Sequence, residues 1–483
     1  MAINTSMVIA NSGIAFGTSG ARGLVEQFTD DVCAAFTVAF LTTMQTQWPT
    51  KKIAIGMDRR PSSPAMAAAC SAAARAMGFQ VTDYGILPTP ALALQAMADG
   101  VPAIMITGSH IPFDRNGIKF YRPDGEIAKT DEQAIMEGTA ELPPFGACER
   151  EPESDAAVQC YLARYVEWFP GQPLVGKRVG VYQHSAAGRD LNIKILELLG
   201  AEAVALGRSE AFVPVDTEAV SDEDRALARQ WATEYQLDSL LTTDGDGDRP
   251  LLADEEGEWL RGDILGLLCA RELGIKALAV PVSCNTAIEA SGVFEQVVRT
   301  RIGSPYVLAG MEALAEKHTS VAGFEANGGF LQGSALMEGS RRLEALLTRD
   351  ALLPALTLMV SAARSSKPLS ALVEGLPARY TASDRLQAFP TEQSQALLAE
   401  WQNNLSAMQQ VLALEHDIAK VDTTDGLRVI LENNEIVHFR ASGNAPELRC
   451  YVEANDPALA RQRLQQCLTH CLTQRDKGQE PSC

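Results

Sequence analysis

The sequence lacks the features that mark several large classes of protein. Its 483 residues contain no uninterrupted apolar run of about 18 residues, so no transmembrane helix is expected. The ten cysteines form no CxxC pair and no zinc-binding spacing, and the six histidines do not pair at metal-binding intervals. We interpret the cysteines as reduced thiols, many of them buried, in a reducing compartment.

Positive charge is also scarce, since 41 lysines and arginines stand against 61 acidic residues and the net charge is −20. This balance argues against nucleic acid and anionic membranes as partners, and it requires any anionic substrate to meet a local cluster of cations. The first residues show neither a basic stretch nor a long apolar core, so no secretory signal is apparent. We expect a cytoplasmic protein.

A repeated alternation of strand, turn and helix is present instead. Residues 51–78, 177–200 and 275–292 each run from a short apolar strand through a turn of small polar residues into a helix that ends at glycine. Continuous apolar strands are typical of sheets buried on both faces. Strands that alternate with helices favour mostly parallel sheets, so the pattern predicts three similar α/β domains.

The last part of the chain has a different pattern. It predicts a helix at residues 393–414, a hairpin turning at Asn433 and Asn434, a further strand, and a helix at 457–472. Polar or proline-containing stretches separate the regions. The predicted domains are three mixed-sheet α/β domains and a smaller C-terminal α+β domain, at residues 1–152, 153–256, 257–367 and 368–483.

The segment TGSHIPFDRNGIK places Ser109 on a turn directly after an apolar strand. Ligands of open α/β sheets bind at the carboxyl ends of strands, which suits a nucleophilic serine. A turn serine that caps a neighbouring amide would give the same four-residue pattern, so the segment alone leaves both interpretations open.

The segment DGDGDR alternates Asp244, Asp246 and Asp248 with glycine after another strand. Three carboxylates so close together repel one another unless a cation joins them, and hard oxygen ligands suit Mg²⁺ or Ca²⁺. An EF-hand loop is disfavoured because Arg249 stands where that loop needs glycine. A solvated acidic turn is the other alternative.

Three further motifs carry polar groups on glycine-containing turns. GFEANGGF offers a hydroxyl-binding pair, and FRASGNAPELR offers an anion cradle or a solvated surface turn. FGTSGARG offers an arginine between glycines, in either a packed loop or a flexible linker. Cations gather in these motifs although the chain is acidic. The residues concerned are Glu325, Asn327, Arg440, Ser442, Gly443, Asn444, Arg449 and Arg22.

Together these motifs resemble those of the α-D-phosphohexomutases, the superfamily of phosphoglucomutase, phosphomannomutase and phosphoglucosamine mutase. The resemblance spans essentially the whole chain. It implies four domains around a central cleft, a Ser109 that carries a phosphoryl group, and Mg²⁺ held by the three aspartates and an oxygen on Ser109. It also implies a hexose 1,6-bisphosphate as intermediate and activator, a phosphosugar substrate, and a monomer or homodimer.

The resemblance also implies roles for the remaining residues. Lys119 or His110 would carry a proton to or from the sugar oxygen, and Arg22 and Arg249 would steady the phosphoserine. The sugar hydroxyls would meet the GFEANGG motif and Ser304, which lies in the loop that varies with specificity. The substrate's other phosphate would meet the cradle formed by Arg440, Ser442, Gly443, Asn444 and Arg449.

Departures from the family pattern leave the sugar open. Ile111 replaces an asparagine of the serine loop, and Asn327 stands where serine is more usual. The resemblance favours mannose phosphate, with glucose and glucosamine phosphates as alternatives. A phosphoserine-dependent phosphatase and an inactive sugar-phosphate-binding protein are the rival classes.

Overall fold

The computed structural model describes residues 4–17, 20–442 and 446–477, and the first part of the chain builds a seven-stranded sheet. Its elements are α1 (Thr5–Ser12), β1 (Ala15–Phe16), β2 (Ala21–Leu24), a 3₁₀ turn (Val25–Gln27), α2 (Asp30–Gln45), β3 (Lys52–Met57), α3 (Ser63–Ala76), β4 (Gln80–Ile86), α4 (Thr89–Asp99), β5 (Ala103–Ile106), β6 (Arg115–Arg122), β7 (Gly125–Glu126) and α5 (Lys129–Glu137). The strand order is β1-β2-β6-β5-β3-β4, and β7 pairs with β6.

The second part builds a four-stranded sheet in the order β11-β10-β8-β9. Its elements are α6 (Ala156–Trp168), β8 (Arg178–His184), α7 (Arg189–Leu198), β9 (Glu202–Arg208), α8 (Asp222–Tyr235), β10 (Ser239–Thr243) and β11 (Pro250–Ala253).

The third part builds a five-stranded sheet in the order β13-β12-β14-β15-β18 and a small hairpin of β16 and β17. Its elements are α9 (Gly262–Glu272), β12 (Ala277–Pro281), α10 (Ala287–Ala290), β13 (Gln296–Thr300), α11 (Ser304–Ala315), β14 (Val321–Phe324), β15 (Phe330–Gln332), β16 (Leu336–Glu338), β17 (Arg341–Leu343), β18 (Leu346–Asp350), α12 (Leu352–Ser365) and a 3₁₀ turn (Leu369–Leu372).

The fourth part builds an antiparallel sheet in the order β19-β23-β22-β21-β20. Its elements are β19 (Tyr380–Leu386), α13 (Thr391–Asn403), α14 (Leu405–Val411), β20 (Ile418–Asp422), β21 (Leu427–Leu431), β22 (Ile436–Ala441), β23 (Leu448–Ala454) and α15 (Pro457–Lys477). The predicted fold class, α/β domains followed by an α+β domain, is confirmed. Each of these sheets lies within one of the four predicted residue ranges, while the domain boundaries themselves stay a prediction.

One strand arrangement recurs in the first three sheets. Four strands that follow one another in the chain lie in the order fourth, third, first, second: β6-β5-β3-β4, β11-β10-β8-β9 and β15-β14-β12-β13. The first three are parallel and the fourth returns antiparallel to the third. The sheets are therefore mixed, whereas the strand–helix rhythm alone favoured mostly parallel pairing.

The predicted helix at residues 393–414 is wrong as a single element. The structure divides it at Asn404, whose backbone leaves helical geometry (φ −141°, ψ 78°). The Asn404 side chain accepts a hydrogen bond from the Ala407 amide at 3.1 Å and so caps α14. Asparagine competes with the helix through this local bond, which the apolar periodicity does not report.

The buried side chains join the first three parts and leave the fourth separate. One apolar cluster runs without interruption from Ala54 to Leu372 through all three α/β parts. A different cluster, from Leu386 to Cys471, fills the fourth part. Among the described residues, no helix is both long enough and apolar enough to span a membrane.

Candidate active site

The aspartate loop between β10 and β11 forms a buried acidic group. Asp244, Asp246 and Asp248 are each 0% exposed, and one carboxylate oxygen from each lies within 4.8 Å of the others. Asp246 Oδ1 and Asp248 Oδ1 are buried and accept no hydrogen bond. Buried carboxylate oxygens without a donor are costly, so this group has the composition of a cation site.

The three carboxyl groups differ in proton affinity. Burial, together with the charges of Asp246 and Asp248, raises the pKa of Asp244 well above its ordinary value. Burial opposes ionisation of the other two as well, but Lys119 holds the pKa of Asp246 low and Arg349 holds the pKa of Asp248 low. The nearby cations therefore favour the charged forms of Asp246 and Asp248, whereas burial and the two neighbouring carboxylates favour the neutral form of Asp244.

The serine loop between β5 and β6 meets this acidic group. Ser109 is 1% exposed and has a left-handed backbone with φ 53°. Its Oγ donates a hydrogen bond to Asp244 Oδ2 at 2.5 Å. The structure thus brings together two predicted site residues that lie 135 positions apart in the chain.

Three positively charged or titratable side chains surround the serine loop. Arg249 Nη1 lies 2.6 Å from His110 Nδ1, and because a guanidinium can only donate, Nδ1 accepts and the hydrogen of a neutral His110 ring lies on Nε2. Burial and then the charge of Arg249 lower the pKa of His110 well below its ordinary value, which keeps the ring neutral. Arg22 donates to the Thr107 carbonyl at 2.5 Å, and burial lowers its pKa to about 10.

Lys119 lies on β6 and points at the aspartate loop. Its Nζ is 2.6 Å from Asp246 Oδ2 and 2.7 Å from Asp248 Oδ2, and the residue is 4% exposed. The structure therefore places the Lys119 ammonium in the interior, beside two of the predicted metal-binding aspartates.

The turn between β14 and β15 carries Glu325 and Asn327, which are both buried. Glu325 Oε2 accepts from Arg349 Nη1 at 3.0 Å. Asn327 Oδ1 accepts from the Gly329 amide at 3.0 Å, which closes the turn. Arg349 also contacts Asp248, so this turn is connected to the aspartate loop through a single side chain.

Ser304 is fully buried at the start of α11. Its hydroxyl donates to Glu126 Oε2 at 2.5 Å, and Thr348 donates to the other oxygen of the same carboxylate at 2.8 Å. Ser304 therefore contacts Glu126, a residue of the first part of the chain. Its role as a substrate contact stays a prediction.

The proposed phosphate cradle lies around β22 and β23. Arg440 Nε is 3.1 Å from Asp425 Oδ1, and Arg449 Nη1 is 3.7 Å from Glu218 Oε2 of the second part. Ser442 is buried, and its amide donates to the Glu447 carbonyl at 2.9 Å. Two further predicted residues of this cradle lie outside the described residues: Gly443 and Asn444.

Sequence reasoning missed Arg60, which organises the serine loop. Arg60 is 1% exposed, and its two Nη atoms donate to four carbonyl oxygens at 2.5–3.1 Å. These carbonyls belong to Ser109, Ile111, Pro112 and Arg115. Its Nε faces Asp58 at 3.3 Å, and its guanidinium lies 3.9 Å from the centre of the Phe212 ring. The position of Arg60 after the carboxyl end of β3 was the available signal, since that edge carries ligands in such sheets.

Arg349 and Thr89 were also missed. Arg349 is the next-to-last residue of β18. Thr89 begins α4 next to a proline, a residue type that suits the first helical turn. The Thr89 hydroxyl donates to Asp246 Oδ2 at 2.6 Å, and its amide donates to the Asp246 carbonyl at 2.8 Å. No local sequence pattern marks these two residues, because Thr89 meets Asp246 across 157 positions and Arg349 meets Asp248 across 101.

Models of known families match most of this chain. The residues matched are 13–143 by phosphoglucomutase/phosphomannomutase α/β/α domain I, 261–380 by domain III of the same family, and 391–469 by its C-terminal domain.

Individual relatives match along nearly the whole length. The chain is 53% identical to a phosphomannomutase of Salmonella muenchen over 454 residues, which covers 94% of each chain. It is 44% identical to a phosphomannomutase of Sinorhizobium fredii, covering 94% of this chain and 98% of the relative. A crystal structure of a phosphoglucomutase/phosphomannomutase family protein from Burkholderia thailandensis superposes with a TM-score of 0.75 at 20% identity and covers 99% of both chains, a likeness of fold.

Proposed function

The chain belongs to the phosphoglucomutase/phosphomannomutase family, and we propose from this premise that it interconverts mannose 6-phosphate and mannose 1-phosphate. It is a phosphohexomutase, an enzyme of the isomerase class. The choice of mannose is supported by the two phosphomannomutases that are 53% and 44% identical to it. The observation that carries the mechanism is the contact between Ser109 Oγ and Asp244 within the buried acidic group.

In the proposed reaction, phospho-Ser109 transfers its phosphoryl group to the free hydroxyl of the hexose phosphate. The bond from phosphorus to the serine Oγ breaks, a bond to the sugar oxygen forms, and the hydroxyl proton passes to a base. The resulting hexose 1,6-bisphosphate reorients and returns its other phosphoryl group to Ser109. Phosphoryl transfer depends mainly on positioning and electrostatics, which suits the fixed, charged surroundings of this serine.

The acidic group fits a divalent cation because two of its buried carboxylate oxygens accept no hydrogen bond and the pKa of Asp244 is raised by burial and by its neighbours. Asp244, Asp246, Asp248 and an oxygen of phospho-Ser109 would hold Mg²⁺. When bound, the ion would supply positive charge for the transferring group.

Lys119 is the proposed proton carrier. Its Nζ lies among the site carboxylates, whereas His110 Nδ1 is already occupied by Arg249. In its neutral form Lys119 would take the proton from the attacking hydroxyl, and as the resulting ammonium it would give that proton to the leaving sugar oxygen in the return step. Arg22 and Arg249 would steady the phosphoserine, since one fixes the Thr107 carbonyl and the other fixes His110.

The substrate would be held at both ends. Glu325 and Asn327 would bind sugar hydroxyls, with Ser304 at the edge of the sugar site. The cations of the phosphate cradle would bind the phosphate that is not reacting. The proposal includes a cytoplasmic monomer or homodimer that acts on small phosphosugars without a nucleic acid or membrane partner, in keeping with the net charge of −20.

An isomerisation assay tests the proposal. The enzyme is incubated with mannose 1-phosphate, glucose 1-phosphate or glucosamine 1-phosphate, each with Mg²⁺ and a trace of the matching 1,6-bisphosphate, and products are followed by ³¹P NMR. We expect 6-phosphates to form, with the highest kcat/KM for mannose, and we expect chelation of the metal to stop the reaction. Release of inorganic phosphate would indicate a phosphatase instead.

Substitution of the nucleophile provides the matching prediction. Ser109→Ala should lower turnover to background, because it removes the hydroxyl that carries the phosphoryl group in the proposed reaction. Ser71→Ala is the control, since Ser71 is a buried serine of α3 whose hydroxyl donates to the Ala67 carbonyl of the same helix. Near-normal turnover in Ser109→Ala would overturn the assignment of the serine.

A further inference from the structure

Arg349 connects two loops that come from different parts of the chain. It is 1% exposed at the end of β18. Its Nε and Nη2 lie 3.1 and 2.9 Å from Asp248 Oδ2 in the aspartate loop. Its Nη1 lies 3.0 Å from Glu325 Oε2 in the turn between β14 and β15. One planar guanidinium therefore fixes the distance between these two carboxylates.

The backbone around Arg349 is shaped to its side chain. A Cβ atom at Gly329 would lie 2.6 Å from the Cδ and 2.8 Å from the Cγ of Arg349. The glycine thus allows the turn that carries Glu325 to lie directly on the arginine stem. A side chain at position 329 would collide with the Arg349 stem, so either the turn or the arginine would have to move.

The charges of this cluster depend on one another. The buried Arg349 guanidinium lies between two carboxylates, at 2.9 Å from Asp248 and 3.0 Å from Glu325. Asp248 also accepts from Lys119, so it keeps a cationic partner without Arg349. Glu325 has no other charged partner among its ion pairs in the described chain. Loss of the guanidinium should therefore affect Glu325 more than Asp248.

We propose that Arg349 is a positioning residue for sugar recognition. It orients Glu325 relative to the aspartate loop, so that the bound sugar hydroxyls keep a fixed position relative to the reacting phosphoryl group. The inference rests on the proposed function, because Glu325 is there a sugar-binding residue. It assigns the orientation of that carboxylate to a side chain outside all five motifs found in the sequence.

Equilibrium binding tests this role without turnover. In a Ser109→Ala background, mannose 6-phosphate and inorganic phosphate are titrated by calorimetry into four forms of the protein: the parent, Arg349→Gln, Glu325→Gln and the double variant. We expect Arg349→Gln to weaken mannose 6-phosphate binding at least tenfold and to leave inorganic phosphate binding within twofold. The double variant should bind as weakly as Glu325→Gln alone, because both changes remove the same interaction.

Two further variants test whether a loss of binding is specific to Arg349 or reflects a general loss of structure. Arg164→Gln removes another buried arginine, one that contacts Gln332 and the Glu344 carbonyl, and it should leave mannose 6-phosphate binding unchanged. Arg349→Lys keeps the charge and should recover part of the lost affinity. If Arg349→Gln does not fold, the double variant, which removes the opposing charge as well, and Arg349→Lys still provide the comparison.

Several results would overturn the inference. They are additive losses in the double variant, an equal loss for inorganic phosphate, or an affinity in Arg349→Gln no lower than in Arg164→Gln. Failure of the proposed function is a separate result, since it would appear as a wild-type enzyme that isomerises none of the three sugar phosphates.

Discussion

Arg59 and Arg60 follow one another in the sequence and have unlike surroundings in the fold. Arg59 is partly exposed, donates to the Ala186 carbonyl at 3.2 Å and pairs with Asp190 at 3.4 Å. Arg60 is buried and holds four carbonyls of the serine loop. A Cβ at Gly108 would lie 2.3 Å from the Arg60 guanidinium carbon, so the loop fits closely against this side chain. Residue type alone gives no means to tell the two arginines apart.

We predict that Arg60→Gln lowers kcat by about 10- to 100-fold. Without the arginine the serine loop should shift, and even a small shift would misalign Ser109 with the phosphoryl group. The measurement is the steady-state rate, with KM reported separately and folding checked by circular dichroism. Arg59→Gln is the matched control and should keep kcat within about twofold, in line with the small worth of exposed ion pairs. Equal losses in the two variants would contradict a specific role for Arg60.

His438 shows how burial fixes a protonation state. Its Nε2 lies 2.7 Å from the Asp425 carbonyl, so Nε2 carries the hydrogen, while Nδ1 is buried without a hydrogen-bond partner. Its ring stacks on Tyr451 at 5.2 Å between centres. Burial lowers the pKa of His438 to about 4, with Arg428 and Arg440 adding to the effect. Protonation of the folded chain would place a charge where nothing accepts the new hydrogen.

The lowered pKa of His438 makes the stability of the folded chain depend on pH, because proton binding is coupled to unfolding. Because the folded pKa lies below the ordinary value of 6.5, the unfolded chain binds more protons between pH 6.5 and pH 4 and stability falls as pH falls through that window. The full effect is about 3 kcal/mol. We predict that His438→Gln makes the fall in urea midpoint between pH 7 and pH 4.5 shallower. His416→Gln, at an exposed histidine, should leave the slope unchanged, and a parent-like slope in His438→Gln would refute the prediction.

At the level of elements, the three functional turns occupy one structural position. The serine loop, the aspartate loop and the Glu325 turn each connect the third strand of a sheet to its antiparallel fourth strand. The apolar runs before these turns were visible in the sequence, and so were the turns themselves. The return of the fourth strand was not, because strands β6, β11 and β15 pair through contacts that no periodicity encodes.

Gly262 allows the start of α9 to pack closely against the turn that carries Glu325. It begins α9, and a Cβ there would lie 2.2 Å from the Gly328 amide nitrogen and 2.5 Å from the Asn327 carbonyl carbon. Those atoms are backbone, so they cannot rotate away. The start of α9 therefore supports the turn that carries Glu325.

We predict that Gly262→Ala raises the KM for the sugar phosphate several-fold and costs about 1–3 kcal/mol of stability, as is usual when a packed site receives an extra carbon. Steady-state kinetics and denaturant unfolding measure the two effects. Gly146→Ala is the control, since a Cβ at Gly146 meets no atom within 4 Å. An unchanged KM in Gly262→Ala would show that the turn tolerates displacement.

For the whole molecule, the sequence predicted the order of the motifs but not how they assemble. Each motif could be recognised in the sequence, because its glycines and polar residues lie in one short segment directly after a strand. The contacts that join the motifs could not, because Ser109 contacts Asp244 across 135 positions and Arg60, in the first part of the chain, contacts Phe212 in the second. Such contacts depend on how separately built sheets pack, which is set by the shared core of the first three parts.

Two ion pairs connect the fourth part of the chain to the second. Arg385 Nη1 lies 2.7 Å from Asp216 Oδ2, and Arg449 lies 3.7 Å from Glu218, both acids coming from the second part. Burial opposes the charge on Arg449, yet Tyr451, Glu218 and Asp216 raise its pKa. These two acids therefore lie beside an arginine that the proposed function assigns to the substrate phosphate.

A phosphate dianion at Arg449 would meet the negative charge of Glu218, so the two compete for one guanidinium. We predict that Glu218→Gln tightens binding of mannose 6-phosphate by about two- to fivefold, the range expected when a partly exposed ion pair worth up to about 1 kcal/mol is removed. Calorimetry in the Ser109→Ala background measures the affinity. Glu295→Gln is the control, because it removes an exposed carboxylate 3.8 Å from Lys276 and changes the net charge equally. If both variants tighten binding alike, the effect is long-range charge. If Glu218→Gln weakens binding, Glu218 orients Arg449 for the phosphate and does not compete with it.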